Sequence, residues 1–94
     1  MDIALGQVVY SKAGRDGGRK FIIIGIIDEN YVLISDGDLR KVEKPKKKKV
    51  KHIKTTEIII EPIGEKLRNG LKINNSEVRK VLSDIENVQD KTEK

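Results

Sequence analysis

The apolar positions along the first two thirds of the chain fall into short runs. "GQVVYSK" (Gly6–Lys12) and the almost unbroken "KFIIIGII" (Lys20–Ile27) flank a dense turn signal, "AGRDGGR" (Ala13–Arg19). "DEN" (Asp28–Asn30) ends the second run, "YVLIS" (Tyr31–Ser35) follows, and "DGD" (Asp36–Asp38) breaks the chain again. "LRKVEK" (Leu39–Lys44) alternates, with Leu39 and Val42 apolar; "VKHI" (Val50–Ile53) sets two apolar residues inside a lysine stretch; and "EIII" (Glu57–Ile60) reads as a last strand before Pro62. Short β-branched runs with closely spaced turn residues predict a mainly β, antiparallel barrel or sandwich. Asp-Gly between apolar runs favours a hairpin turn. Gly14, Gly17 and Gly18 permit positive φ angles that a side chain resists. No stretch of helical period separates the early runs, which argues against a parallel βα alternation.

The period changes near the end. Val78, Val81, Leu82, Ile85 and Val88 recur at the spacing of one helix face. Asn74 with Glu77 three residues on has the form of a capping box, with Asn75 and Ser76 as alternative caps. The expected organisation is a β domain over 1–61, a connector over 62–73 containing Pro62, Gly64 and Gly70, a helix over 74–88 and a frayed or disordered tail over 89–94. The helix stripe reads first as packing on the barrel, and secondly as a dimer seam or docking face. Its other face is too polar, and its end too acidic, for a membrane-surface helix.

Composition narrows the function. With 94 residues the chain is one small domain, and 36% hydrophobic against 37% charged residues leaves little to bury. Its only aromatics are Tyr10, Phe21 and Tyr31, so the core is aliphatic. The absence of cysteine excludes disulfides, thiolate metal sites and a cysteine nucleophile, and fits a reducing, cytoplasmic setting. No apolar run reaches the roughly 18 residues of a membrane span, and "MDIALGQVV" lacks the basic start of a signal peptide. The net charge of +5 is uneven: residues 1–56 hold 13 basic and 7 acidic side chains, residues 57–94 hold 7 and 8. The first part is therefore the one that faces a polyanion.

Catalysis is not expected. The single histidine, His52, sits among lysines without a plausible Asp or Ser partner. "GRDGG" (Gly14–Gly18) lacks the Gly-Lys-Ser/Thr ending and following helix of a phosphate loop. No cofactor or metal is implied. What stands out is "PKKKKVKHIK", Pro45 to Lys54. With Lys44 it supplies seven lysines, Lys44, Lys46, Lys47, Lys48, Lys49, Lys51 and Lys54, on what reads as a loop anchored by Val50 and Ile53. A solvated loop that blocks sheet-edge aggregation is one reading. A nuclear address is another, weakened because Val50 and Ile53 look like strand residues. A surface for a phosphate backbone is the third, and the one preferred. Arg40 and Lys41 lead into the stretch, and Arg15, Arg19 and Lys20 flank the glycine-rich turn as a second cluster. Tyr10 and Tyr31 read first as core or strand-edge residues, and as base-stacking surfaces only if they face outward. With so few aromatics a multi-base stacking platform is not expected.

Gly6–Ile34 resembles a KOW motif, which joins two strands through a glycine-containing loop, and Gly18 falls where that family keeps its hallmark glycine. The continuation Asp36–Thr56 resembles the eukaryote- and archaea-type large-subunit ribosomal proteins of the fourteen-e, six-e and twenty-seven-e groups, in which a Lys-His-hydrophobic segment follows a basic stretch; here it is Lys51-His52-Ile53. The resemblance covers roughly residues 4–58. It implies an SH3-like barrel whose loops and one face contact RNA; with the helix read from periodicity, the expected fold is a barrel of about five strands plus one C-terminal helix. The RNA-binding residues so implied are Arg15, Arg19, Lys20, Arg40, Lys41, Lys44, Lys46, Lys47, Lys48, Lys49, Lys51, His52 and Lys54. After Thr56 the chain departs from the long basic extensions of ribosomal members, which favours a stand-alone RNA-binding protein, a bacterial homologue included, over a constitutive subunit. The expectation is thus a basic, non-catalytic ribonucleoprotein component of translation that contacts structured ribosomal RNA or a ribosome-bound assembly. Its alternative is a protein-interaction module of the transcription or translation machinery that uses the barrel and the C-terminal helix.

Overall fold

The computed structural model describes residues 3–12 and 18–92, with side chains as far as residue 85. Five strands, β1 (Gln7–Ser11), β2 (Lys20–Ile26), β3 (Tyr31–Ser35), β4 (Lys46–Lys49) and β5 (Ile53–Ile59), are followed by α1 (Glu61–Arg68) and α2 (Asn75–Thr92). The strands form one antiparallel sheet in the order β4-β3-β2-β1-β5. A 3₁₀ turn, Val50–His52, links the two outermost strands. Its ends are tied to the sheet, Val50 N–H donating to the Asn30 carbonyl (2.8 Å) and Lys12 N–H to that of His52 (3.0 Å). A sheet curled so that its first and last strands meet through such a turn is a small SH3-like barrel.

The sheet is apolar on both faces. Val9, Phe21, Ile23, Val32, Ile34, Val50 and Ile53 fill the barrel interior. Val8 and Ile22 point the other way and are covered by Ile63 of α1 and Val78, Leu82 and Ile85 of α2. This explains why "KFIIIGII" is continuous rather than alternating: a strand buried on both faces needs no polar face. Where β1 meets β5 the register slips between Gln7 and Val9. The buried Gln7 amide covers the gap, its Nε2 donating to the Thr56 carbonyl (2.8 Å) and its Oε1 accepting from Ala4 N–H (3.0 Å).

Two expectations for the C-terminal third are corrected. The stretch read as a connector holds a second helix, α1. Pro62 lies in its first turn, where its missing N–H costs nothing, and Gly64 is there for room, since a Cβ would lie 2.8 Å from the Leu5 carbonyl oxygen. The last helix also runs on to Thr92, through four residues of the expected tail; Glu93 and Lys94 lie outside the described residues. Its cap is as read: Asn74 Oδ1 accepts Glu77 N–H (2.8 Å) while Glu77 Oε2 accepts Asn74 N–H (3.0 Å).

The same end of α2 is sewn to the β3–β4 loop. Val42 N–H donates to Asn75 Oδ1 (2.8 Å), Asn75 Nδ2 to Glu43 (3.0 Å) and Arg79 Nη1 to the Gly37 carbonyl (2.6 Å). Gly37 has φ +75°, and a Cβ there would lie 2.5 Å from the Asn75 carbonyl oxygen.

Candidate nucleic-acid interface

The lysines expected on a loop form a strand instead. Lys46–Lys49 are β4, at the border of the sheet, and their partners fix where each side chain goes. Lys46 and Lys48 lie opposite Ile34 and Val32 and so leave on the side of the barrel interior; Lys47 and Lys49 lie opposite Leu33 and Tyr31 and leave on the outer side. The ammonium groups are thus divided between two faces rather than gathered on one. Four lysines tolerate this only at an edge, where stems rest on apolar neighbours and heads reach water from either side. Lys47 Nζ stands 4.6 Å from the centroid of the Tyr31 ring, in cation–π contact.

Lys51 and His52 continue the basic path on the exposed 3₁₀ turn. Lys54, on β5, lies opposite Tyr10, which on its other side lies opposite Lys20, so two lysines flank a half-buried tyrosine across three strands. Lys12 joins this end of the barrel through its backbone bond to His52. Among the described residues Lys44, Lys47, Lys48, Lys49, Lys51 and Lys54 make no ion pair, so their charge is available to an anion.

The arginine cluster has another character. Arg19 Nη2 lies 3.2 Å from Asp36 Oδ2, a buried carboxylate whose other oxygen accepts the N–H groups of Asp38 (3.0 Å) and Arg40 (2.9 Å). Arg19 therefore spends part of its fork on binding the β1–β2 turn to the β3–β4 loop. Arg40, Lys41 and Lys44 ride on that loop. Gly18, with φ +81° and nothing within 4 Å of a Cβ position, is glycine for its conformation rather than for space. It closes the hairpin through its N–H to the Ser11 carbonyl (2.8 Å), beside Ser11 N–H to that of Arg19 (3.1 Å). Arg15 lies outside the described residues.

Sequence reading missed two neighbours of these clusters. Lys12 follows β1 with no mark of its own, and Arg79 belongs to a helix face that only the fold brings beside Gly37. Two acids near the start of α2 are held by Asn74 and Asn75. The Asn75 amide holds Glu43 below the ordinary carboxylate range. The Asn74 N–H does the same for Glu77, with Lys66 assisting. Among the described residues no His/Asp/Glu cluster could hold a metal ion, and no helix is long and apolar enough to cross a membrane.

No family model matches the chain. Curated proteins do. It is 39% identical over 59 residues to the large ribosomal subunit protein eL14 of Staphylothermus marinus, a match covering 63% of this chain and 62% of that protein. It is 38% identical over 55 residues to that of Desulfurococcus amylolyticus (58% and 57%) and 36% identical over 59 residues to that of Pyrobaculum arsenaticum (63% and 57%). The matched stretch spans about six tenths of this chain and of each of these relatives.

Proposed function

We propose that this protein is a non-catalytic RNA-binding component of the large ribosomal subunit, or of an assembly bound to it, and that it works in the cytoplasm. The observation that carries the proposal is the row Lys47, Lys48, Lys49, Lys51 and Lys54 on β4, the 3₁₀ turn and β5, which make no ion pair among the described residues, in a chain similar to proteins named as large ribosomal subunit proteins. Each phosphate these lysines neutralise releases condensed counterions, so binding strengthens as salt falls. Such contacts position an RNA without reading its sequence. The division of β4 between two faces suits a partner that passes around the sheet border, engaging Lys46 and Lys48 from one side and Lys47 and Lys49 from the other. Docking of another protein through the apolar stripe of α2 is disfavoured, because Val78, Leu82 and Ile85 are buried against the barrel.

The test replaces Lys46–Lys49 by serine and titrates a ribosomal RNA fragment at several salt concentrations. Affinity at about 0.15 M salt is expected to fall more than tenfold, and the slope of log affinity against log salt to shrink by up to about 3, while the unfolding midpoint stays close to wild type. Unchanged affinity and slope in a folded variant would overturn the proposal.

A further inference from the structure

Beside Tyr31 the barrel carries an open cleft of about 390 Å³ lined by Glu29, Asn30, Tyr31, Lys49, Val50 and Lys51. Its size is within the range of small-molecule sites, about 300–1,000 Å³. Its walls are set before any ligand arrives. Asp28 Oδ1 accepts the N–H groups of Asn30 (2.8 Å) and Tyr31 (2.9 Å), which fixes the β2–β3 turn. Val50 N–H donates to the Asn30 carbonyl (2.8 Å), which joins that turn to the 3₁₀ turn across the cleft. The lining combines one aromatic ring, two ammonium groups, one amide side chain and one carboxylate. Among the described residues the Glu29 carboxylate, the Asn30 side chain and both lysines have no polar partner.

Resting on the RNA-binding reading, we propose that this cleft takes one unpaired nucleotide, a guanosine by preference, extruded from the bound RNA. The base stacks against Tyr31, which Lys47 already holds in place by its contact with the ring. Lys49 and Lys51 flank the entrance and take the phosphates on either side of the extruded sugar. Glu29 selects the base. A carboxylate is acceptor-only, and guanine alone among the four bases presents two adjacent N–H donors, N1 and N2, on its pairing edge. Adenine and cytosine each place a ring acceptor next to their amino group, which a carboxylate repels. Asn30 adds a donor for the guanine O6. The row of lysines alone could not tell one RNA from another, whereas this cleft recognises a structural irregularity and the base that forms it.

The test compares a fluorescent RNA hairpin with one bulged guanosine against the same hairpin fully paired, and against bulged adenosine, cytidine and uridine, at fixed salt. The bulged guanosine is expected to bind about tenfold more tightly than the paired stem, the usual worth of one stacked base. Tyr31→Ala brings the affinities for the bulged and paired hairpins to the same value, Tyr31→Phe keeps the preference, and Glu29→Gln erases the advantage of guanosine over adenosine. Equal binding of bulged and paired hairpins by the wild-type protein would overturn the cleft and leave general RNA binding standing. If neither hairpin bound even at low salt, both readings would fall together.

Discussion

The two faces of β2 make an instructive contrast. Phe21 and Ile23 point into the barrel, among residues brought from every strand but β4 and from the 3₁₀ turn. Ile22 points outward and is covered by side chains from two helices that follow the barrel in sequence. The inner cluster is closed by the sheet curling on itself; the outer one exists only while α1 and α2 stay docked. Both draw on adjacent residues of the same strands, Val8 and Val9, Ile22 and Ile23. Loosening one layer must therefore disturb the other. The helices are half of the protein's second core rather than an appendage to a finished barrel.

The hardest test of that contrast is a pair of truncations. Phe21→Ala, at a position with no exposure, is expected to cost about 3–5 kcal/mol. Leu82→Ala, at the 7% exposed rim of the outer cluster, is expected to cost about 2–3 kcal/mol because the site can partly collapse. Urea unfolding followed by circular dichroism, together with amide exchange in β2, checks both. One shared transition at a lowered midpoint is expected in each variant. Loss of α2 with β2 protection intact would show instead that the layers are separate units.

A smaller effect sharpens the junction between them. Gly37→Ala forces a side chain into a positive-φ position, on the order of 1–3 kcal/mol, and also against the Asn75 carbonyl. Gly18→Ala meets the conformational cost alone, since nothing lies near its Cβ position. The first variant should therefore melt at the lower temperature and lose exchange protection at the Val42 N–H, which is bonded to Asn75; the second should not lose that protection.

The smallest effect is in the cap. Asn74→Ala is expected to cost about 1 kcal/mol. Glu77, held below its ordinary value chiefly by the Asn74 N–H, stabilises the fold in its ionised form. Its contribution is present above the ordinary glutamate pKa of about 4.3 and is lost as pH falls through the lowered value. Glu77→Gln should flatten the dependence of stability on pH in that acid window, as read by thermal melts at successively lower pH.

Much of this was legible in the sequence where apolar residues had to be buried. The runs at Gly6–Lys12, Lys20–Ile27 and Tyr31–Ser35 became β1, β2 and β3, and Asn74 with Glu77 became the cap. β4 was not legible, because four lysines carry no apolar alternation and an edge strand requires none; the alternating "LRKVEK" before it is loop, with Val42 packed on the outer cluster. α1 was hidden by Pro62 and Gly64, which read as breaks but serve as helix start and close-contact point. For the site, residue types were legible and direction was not. Only strand register divides Lys46 and Lys48 from Lys47 and Lys49, and only the β2–β3 corner brings Glu29 and Asn30 to Lys51.

The base of the β1–β2 turn is clamped three times, by the Gly18 and Ser11 backbone bonds and by the Arg19–Asp36 pair. Ser11, Gly18 and Arg19 are therefore tied to the sheet and to the β3–β4 loop at once, so the two ends of the hairpin keep a fixed spacing while the barrel beneath keeps its shape.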